Sequence, residues 1–420
     1  MAKRIRGEAR PQPGDLVAVN DLAGAPIQFT PGMESLVALD ESWPLAPEER
    51  EFIEAVKKIA ATKIGPAAME TDRLGIFPMG NIEALNEMGC NQVFVPEEYG
   101  GLGASNGCYL RMVEELSRAC PSTAISWATT YHSITPVIEF GTEAQKRRFL
   151  PAVAEGAIGA LAITEETGGS DVRAIRTRMR PDGDEVVIDG SKVFITNGDV
   201  ANLYIVFGKW TELPDRDSLT AIVVERDRQG LVPGRVESKL GHRGSSTTGL
   251  QFDELRVPRD NVLGNPGDGF AVLISALNYS RPSIAAHALG IARAAFEDAL
   301  EYINERRQFG KRILEFQGVQ FTIADLASRL AMAETMLLYV SSLITAGAGK
   351  GGIEASMLKV MSTDLAMDAA SAAVQLRGGY GYMSGCRAER LFRDAKLTQI
   401  FEGANELHRE RVGRAFLIRD

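Results

Sequence analysis

The sequence predicts an α+β protein of several domains: a helical N-terminal domain, a middle β domain of barrel or sandwich type, and a C-terminal four-helix bundle. Two observations predict this order. The hydrophobic period is helical from Pro47 to Glu155, becomes strand-like near Gly156 and is helical again after Gly267. In addition, 420 residues exceed what a single hydrophobic core normally holds.

The changes of period define four segments. Residues 1–43 mix Pro, Gly and isolated apolar residues without a period, which is typical of an extended arm. Residues 44–156 form the helical domain, with helical patterns at 78–89, 105–119, 122–139 and 143–155. Residues 157–267 form the β domain and residues 268–420 the helical bundle.

Within the β segment, short runs rich in β-branched and aromatic residues alternate with turns. They lie at 157–165, 185–196, 201–208, 218–225, 231–239 and 248–256. Asp189-Gly190 separates two apolar runs, which predicts a two-residue type I′ hairpin. In the last segment, long helical runs at 268–307, 317–347, 353–377 and 387–395 predict an antiparallel bundle.

Composition excludes several classes of protein. A formal charge of −9 and a pI near 5.3 argue against a nucleic-acid surface. The most apolar stretch, 323–344, contains Asp325, Arg329 and Glu334, so we interpret it as a bundle helix and expect no membrane insertion. The four cysteines lack CxxC spacing and the basic N-terminus has no apolar segment behind it, so we expect a cytoplasmic protein. The four histidines lack ligand spacing, so no metal is expected.

Two segments of the β domain have the composition of a ligand site. The run Thr164–Asp171 follows a strand and offers two glycines and Ser170, which suits a pyrophosphate or flavin edge, or equally a polar turn. In Lys192–Gly198, Phe194 can cover a planar ring and Thr196 can bond its edge. The alternative for that segment is an ordinary strand ending in an Asn-Gly turn.

Two segments of the bundle carry similar signals. Glu305–Lys311 places basic residues before Gly310, as at a helix C-terminus, or supplies an arginine for a diphosphate. Gln375–Tyr382 contains the consecutive glycines Gly378 and Gly379, which allow a phosphate-bearing cofactor to approach closely or form a flexible loop.

Glu402 is the candidate general base. It lies between apolar residues and Gly403, immediately before a predicted helix that Asn405 is placed to cap. Apolar neighbours shield a carboxylate from water, as a base working near neutral pH requires. The alternative is a surface glutamate near a helix N-terminus.

Taken together and in this order, these segments resemble the acyl-CoA dehydrogenase family. The match runs from about residue 47 to residue 418 and is sharpest in ERRQFGK, QLRGGYGY, ERLFRDAK and QIFEG. The resemblance implies FAD between the β domain and the bundle, a homotetramer built as a dimer of dimers, and an electron-transfer flavoprotein as acceptor. Phe194 departs from the family's commoner tryptophan, and Ala404 from a frequent threonine.

The resemblance also implies roles for individual residues. The implied FAD contacts are Ile163, Thr164, Ser170, Phe194 and Thr196, with Arg306, Phe309, Gln317, Gln375, Gly378 and Gly379 reaching the FAD of a neighbouring subunit. Ser170, Ser280, Arg281 and Gly403 resemble residues that line the path of the acyl thioester, and Glu402 falls at the family's usual base.

The implied reaction is α,β-dehydrogenation of an acyl-CoA to a trans-2-enoyl-CoA, with Glu402 removing the α proton and a hydride passing to flavin N5. Three alternatives stay open at this stage. The same fold supports flavin oxidases and monooxygenases, it supports dehydrogenases or reductases of carrier-protein-bound acyl groups, and a non-catalytic flavin-fold protein is a third class.

Overall fold

The computed structural model describes residues 38–347 and 352–417, together with two short antiparallel strands, β1 (Ala18–Val19) and β2 (Ile27–Gln28). The chain divides into two compact units, Met1–Pro44 and Leu45–Asp420. Most of the predicted arm, residues 1–43, lies outside the described residues.

The second unit begins with six helices. They are α1 (Pro47–Ile59), α2 (Gly65–Leu74), α3 (Met79–Glu87), α4 (Asn106–Ala119), α5 (Pro121–Phe140) and α6 (Glu143–Ala154). Local sequence fixes several starts: Ser105 caps α4 through the backbone N–H of Cys108, and Thr142 and Gln145 form a capping box at α6. The four helices predicted between residues 78 and 155 are therefore present.

A single hydrogen-bonded sheet follows. Its strands are β3 (Gly159–Ala162), β4 (Arg178–Asp182), β5 (Glu185–Thr196), β6 (Leu203–Trp210), β7 (Leu219–Glu225), β8 (Leu231–Val236), β9 (Thr247–Pro258) and β10 (Val262–Leu263). The strand order is β10-β7-β6-β4-β5-β9-β8, and β3 pairs with β6 in parallel.

The predicted hairpin at Asp189-Gly190 is wrong. Both residues lie inside β5, and the hairpin is instead at Gly183-Asp184, where Asp182 pairs with Glu185. The glycine at 190 serves a close approach, because a Cβ there would lie 2.6 Å from Thr177 Oγ1. The pairing of β5 with β9 also shifts at this point, which is a β-bulge. An Asp-Gly pair thus marks the bulge here and not a turn.

The remainder is helical. It comprises α7 (Gly269–Glu305), the strand pair β11 (Arg307–Gln308) and β12 (Lys311–Arg312), α8 (Gln317–Thr345), α9 (Gly352–Arg377), α10 (Arg387–Thr398) and α11 (Asn405–Arg414). The 37-residue helix α7 packs on α8, α9 and α10 of the bundle and also on α4 and α5 of the helical domain. No helix in the described ranges is long and apolar enough to cross a bilayer.

The expected helix end at Gly310 is also wrong. Helix α7 ends five residues earlier, at Glu305, and residues 307–312 form a tight hairpin. Phe309 has φ 52° and Gly310 has φ 81°, as both central residues of a type I′ turn require. The Phe309 side chain is 92% exposed and contacts Phe316 edge-on, with ring centres 6.2 Å apart.

A buried charge cluster joins α4, α7 and α8. Arg111 of α4 bonds Glu114 and Glu115, the latter at 3.0 Å, and lies 3.7 Å from Glu334 of α8. Arg293 of α7 lies 3.3 Å from Glu334. All five side chains are buried. Because unpaired buried charge is costly, the three helices are held in one arrangement by mutual pairing.

We predict that Arg111→Leu lowers the free energy of unfolding by ~3–5 kcal/mol, because it removes the cation that lies next to all three buried carboxylates, Glu114, Glu115 and Glu334. Denaturant unfolding followed by tryptophan fluorescence measures the change. The control is Arg216→Leu, whose exposed partner is Asp217; it is expected to change stability by less than ~0.5 kcal/mol. Equal effects of the two variants would contradict the prediction.

Candidate active site

Glu402 lies in a tight turn between α10 and α11. Its φ is 52° and that of Gly403 is 93°, both in the left-handed region. A non-glycine residue in this region is strained by ~1–3 kcal/mol, and such residues cluster at functional sites. A Cβ on Gly403 would lie 2.9 Å from His408 Nε2, so glycine is required next to Glu402.

A buried lysine holds this turn. Lys359 Nζ donates to the carbonyl of Gly403 at 2.8 Å and to Asn405 Oδ1 at 2.8 Å. Burial lowers the pKa of Lys359 to about 8. On the other side of the turn, His408 Nε2 lies 3.2 Å from the Glu402 carbonyl; since a carbonyl only accepts, Nε2 carries the proton.

The expected capping role of Asn405 is wrong. Asn405 is the first residue of α11 and Ala404 precedes the helix. The Asn405 amide instead bonds Lys359 through Oδ1 and donates to Thr363 Oγ1 at 2.9 Å through Nδ2. Its side chain therefore ties the turn to α9 and does not satisfy the orphan N–H groups of α11.

The Glu402 carboxylate is half-buried and faces α7. Ser280 Oγ donates to Glu402 Oε2 at 2.6 Å. The backbone N–H of Glu402 has no acceptor among the described residues. Glu402 therefore offers both a carboxylate, which can accept a proton, and a backbone N–H, which can donate a hydrogen bond.

Arg281, next to Ser280, is 7% exposed, and its Nε and Nη1 have no hydrogen-bond partner in the parts of the chain described. Burial and the charge of Arg411 lower the pKa of Arg281 to about 10, against the opposing effect of Glu402. Buried guanidinium groups are normally paired. The predicted substrate-path residues Ser280, Arg281 and Gly403 are thus brought together around Glu402, while Ser170 lies in an exposed loop of the β domain.

Behind the Glu402 turn lies a chain of buried side chains that the sequence did not reveal. His287 Nδ1 contacts Ser117 Oγ at 2.7 Å, and its Nε2 contacts His242 Nε2 at 2.8 Å. The ring of Phe401 lies 6.4 Å from the centre of His287 and 6.5 Å from that of His242. The backbone N–H of His242 donates to Asp394 Oδ1 at 2.5 Å.

The hydrogen bonds fix the tautomers of this pair. Ser117 Oγ gives its proton to the Val113 carbonyl at 2.6 Å, so it accepts from His287 Nδ1. His287 Nε2 is then the acceptor, and His242 Nε2 donates to it. Both imidazoles are neutral in this arrangement. Burial lowers the pKa of His242 to about 3 and that of His287 well below its usual value.

The loop after β3 is held by a second buried ion pair. Lys192 Nζ donates to Glu165 Oε1 at 2.7 Å and to the Ile163 carbonyl at 3.0 Å. Thr177 Oγ1 donates to the same carboxylate oxygen at 2.6 Å. Burial lowers the pKa of Lys192 to about 8. This network fixes the 163–165 backbone against β5.

Phe194 projects beside this loop. Val193 N donates to the Thr164 carbonyl at 2.9 Å, and the pairing of β5 with β9 is irregular between Lys192 and Ile195. Phe194 has φ 61° and is 68% exposed. A strained, exposed aromatic ring fits a surface for a planar ligand. Ile163, Thr164 and Thr196 adjoin it and are half-buried.

A groove of about 560 Å³ lies at the other end of the bundle. Arg306, Gln375, Gly378 and Gly379 line it, so the structure brings four of the predicted neighbouring-subunit contacts together. Phe309 and Gln317 are exposed and are not part of the lining. Arg377 also borders the groove, but its guanidinium is paired with Asp298, with Nε and Oδ2 2.5 Å apart.

The buried histidines predict a strong loss of stability in acid. Burial lowers the pKa of His132 and His408 to about 4 and that of His242 to about 3. A lowered folded pKa means that unfolding takes up a proton, so this stability is present above pH 6.5 and is lost as pH falls. Each neutral histidine contributes a slope of about 1.4 kcal/mol per pH unit. Asp394, whose pKa burial raises to about 6, offsets part of this below pH 6.

Denaturant unfolding at several pH values between 4 and 6.5 measures the slope. His132→Gln is expected to lower by about one the number of protons taken up on unfolding, and so to reduce the slope of stability against pH. Glu301→Gln changes an exposed residue of α7; it is the matched control and is expected to leave the slope unchanged. An unchanged slope in His132→Gln would show that the pKa of this histidine is not lowered in the folded protein.

Comparisons with known proteins agree with this architecture. Three family models match in order: the acyl-CoA dehydrogenase N-terminal domain at residues 46–157, the middle domain at 160–255 and the C-terminal domain at 267–417. An acyl-CoA dehydrogenase of Bacillus subtilis is 40% identical over 366 residues, covering 86% of this chain and 96% of the relative.

Solved structures give the same result. Butyryl-CoA dehydrogenase from Megasphaera elsdenii superposes with a TM-score of 0.86 at 35% identity, covering 90% of this chain and 100% of that chain. A chain from the structure of the electron transferring flavoprotein of Acidaminococcus fermentans, a study of flavin-based electron bifurcation, has a TM-score of 0.87 at 36% identity, covering 90% and 99%. The predicted fold class is confirmed, and the chain belongs to the acyl-CoA dehydrogenase family.

Proposed function

We propose that this chain is an FAD-dependent acyl-CoA dehydrogenase that converts an acyl-CoA to a trans-2-enoyl-CoA, with Glu402 as the catalytic base. The observation that carries the assignment is the half-buried Glu402 carboxylate, oriented by Ser280 at 2.6 Å on a strained turn. Membership of the family supports the reaction class.

The residues around Glu402 account for the proton transfer. The carboxylate accepts the proton from the α carbon, which the thioester carbonyl makes acidic. The free N–H of Glu402 donates to that carbonyl as negative charge develops on it; one such donor is typically worth ~2.7–4 kcal/mol. Ser280 fixes the direction of the carboxylate. When bound, FAD supplies the acceptor for the hydride that leaves the β carbon.

FAD is the proposed cofactor, and the residues present fit it. Phe194 offers an exposed ring, and Ile163, Thr164 and Thr196 offer adjoining backbone and hydroxyl groups, with Ser170 in the loop beyond. The groove lined by Arg306, Gln375, Gly378 and Gly379 offers a cation and unhindered glycine backbone for a diphosphate. Phe309 and Gln317 lie in and after the adjoining hairpin.

The assembly and the electron acceptor are also proposals. We infer a homotetramer, a dimer of dimers, in which the groove of one subunit meets the FAD of another. The similarity to a chain from an electron transferring flavoprotein structure supports such a flavoprotein as the acceptor. The four free cysteines, three of them buried, support a reducing, cytoplasmic location. The domain boundaries at residues 44, 157 and 268 stay a prediction.

We predict that Glu402→Gln keeps FAD bound but loses bleaching of the flavin by acyl-CoA, because an amide does not accept the α proton. Anaerobic spectroscopy measures bleaching and FAD content together. Glu406→Gln, an exposed carboxylate in the first turn of α11, is the control and is expected to bleach at the wild-type rate. Full-rate bleaching by Glu402→Gln would remove Glu402 from the role of base.

A second prediction tests the groove. Arg306→Glu is expected to weaken retention of FAD roughly tenfold or more, since a charge-assisted contact worth ~1.5–3 kcal/mol becomes repulsive. FAD released on dilution is measured by fluorescence. Arg312→Glu reverses a charge on the same hairpin outside the groove, where Arg312 pairs with Glu315, and is expected to retain FAD. Equal retention by both variants would contradict the proposed contact.

A further inference from the structure

The burial of α7 indicates the direction in which an acyl chain enters. Every residue from Ser280 to Phe296 is buried, whereas Asn278 and Tyr279 are half-buried and Phe270 is exposed. A CoA carrier is large and charged, so it stays on the exposed side. If the proposed function holds, the acyl end extends past Glu402 along the buried part of α7, toward the C-terminal end of that helix.

The first side chain in that direction is Ser283. It follows Ser280 by three residues, so the two lie on the same face of α7 with Cβ atoms about 5–6 Å apart. Ser283 Oγ bonds the hydroxyl of Tyr109 from α4 at 2.8 Å, and that hydroxyl lies 3.4 Å from His132 Nε2 on α5. Ser283, Tyr109 and His132 thus meet from three helices. We call them the end wall.

The end wall is close to Glu402 and is tightly packed. Burial has the largest effect on both pKa values, since it raises that of Tyr109 and lowers that of His132. The charge of Glu402 also acts on both groups and raises the pKa of each, so both lie near Glu402. Tyr109 and His132 are 2% exposed and Ser283 is fully buried. The ring of Tyr131 packs edge-on against that of Tyr109, with the ring centres 4.3 Å apart. These three side chains are therefore closed off from solvent within the described part of the chain.

We propose that the end wall closes the acyl site one helical turn beyond Glu402, so that the enzyme acts on short acyl thioesters of about butyryl size and rejects longer chains. This inference rests on the proposed function. A longer chain would have to separate Tyr109 from Ser283, leaving two buried hydroxyl groups unpaired, and would displace packed aromatic rings. Both costs act against the long chain alone.

The test compares butyryl-, hexanoyl- and octanoyl-CoA in the FAD-bound enzyme, using the anaerobic rate of flavin bleaching. We expect the bleaching rate with butyryl-CoA to exceed that with octanoyl-CoA by about tenfold or more, since single methylene groups change rates by ~10–200-fold in a closed pocket. Tyr109→Ala is expected to raise the bleaching rate with octanoyl-CoA, relative to that with butyryl-CoA, by about tenfold. Tyr109→Phe keeps the ring but removes the hydroxyl pair with Ser283. It is the matched control, and it is expected to raise the octanoyl-CoA rate relative to the butyryl-CoA rate by much less than Tyr109→Ala does.

If Tyr109→Ala does not fold with FAD, the test uses His132→Ala instead, which opens the end wall from α5. The inference would be overturned if octanoyl-CoA bleached the wild-type enzyme as fast as butyryl-CoA does. It would also be overturned if the end-wall variants folded but kept the wild-type preference for butyryl-CoA.

Binding separates this result from a failure of the proposed reaction. Titration of Glu402→Gln with the same three thioesters, followed by the shift of the flavin spectrum, ranks chain lengths without turnover. Suppose that Glu402→Gln binds butyryl-CoA more tightly than octanoyl-CoA, while none of the three thioesters bleaches the wild-type enzyme. That result would support the end wall and overturn the dehydrogenase assignment. Equal binding of both would overturn the wall.

Discussion

The position of Glu402 depends on one buried ammonium group. The turn that carries Glu402 is strained, with two successive residues at positive φ, and a strained turn persists only where its surroundings hold it. Lys359 does so from α9, by bonding both the Gly403 carbonyl and Asn405. Ser280 then fixes the carboxylate from α7. The proposed base is therefore oriented by contacts that exist only once the bundle has assembled.

Helix α7 couples this site to the rest of the molecule. Within one stretch it carries Ser280 against Glu402, Ser283 in the end wall and Arg293 in the buried charge cluster. Because α7 packs on both the helical domain and the bundle, a shift at the domain interface moves the residue that orients Glu402. A long rigid helix is a suitable support for a site that must be held accurately.

The α–β–α order and most helices and strands could be predicted, because hydrophobic period is a local property of the sequence. One error concerned the cap expected at Asn405, and the other two occurred at glycines. Gly190 permits a close approach within β5, and Gly310 forms the turn of a hairpin, although each lies in a sequence typical of another feature. Composition gives the presence of a glycine but not which neighbour approaches it.

Glu402 and Phe194 could be proposed as site residues from their neighbours in sequence and from the family resemblance, whereas the groups that support them in the structure could not. His242 and His287 are 45 residues apart, and Lys359 is 44 residues from Gly403. A single histidine or lysine in a helical run carries no signal of a partner at that separation. These contacts follow from tertiary packing, which the local pattern does not encode.

The neutrality of the buried histidines bears on how Glu402 would work as the proposed base. A protonated imidazole next to Glu402 would donate to the carboxylate and compete with the α proton for it. His132 has a pKa of about 4 because of burial, and the tautomers of His242 and His287 are fixed by Ser117 and by each other. The surroundings of Glu402 therefore hold imidazoles that stay uncharged near neutral pH. Under these conditions the proposed mechanism would deliver the substrate proton to the Glu402 carboxylate, and the histidines would act through their packing and hydrogen bonds.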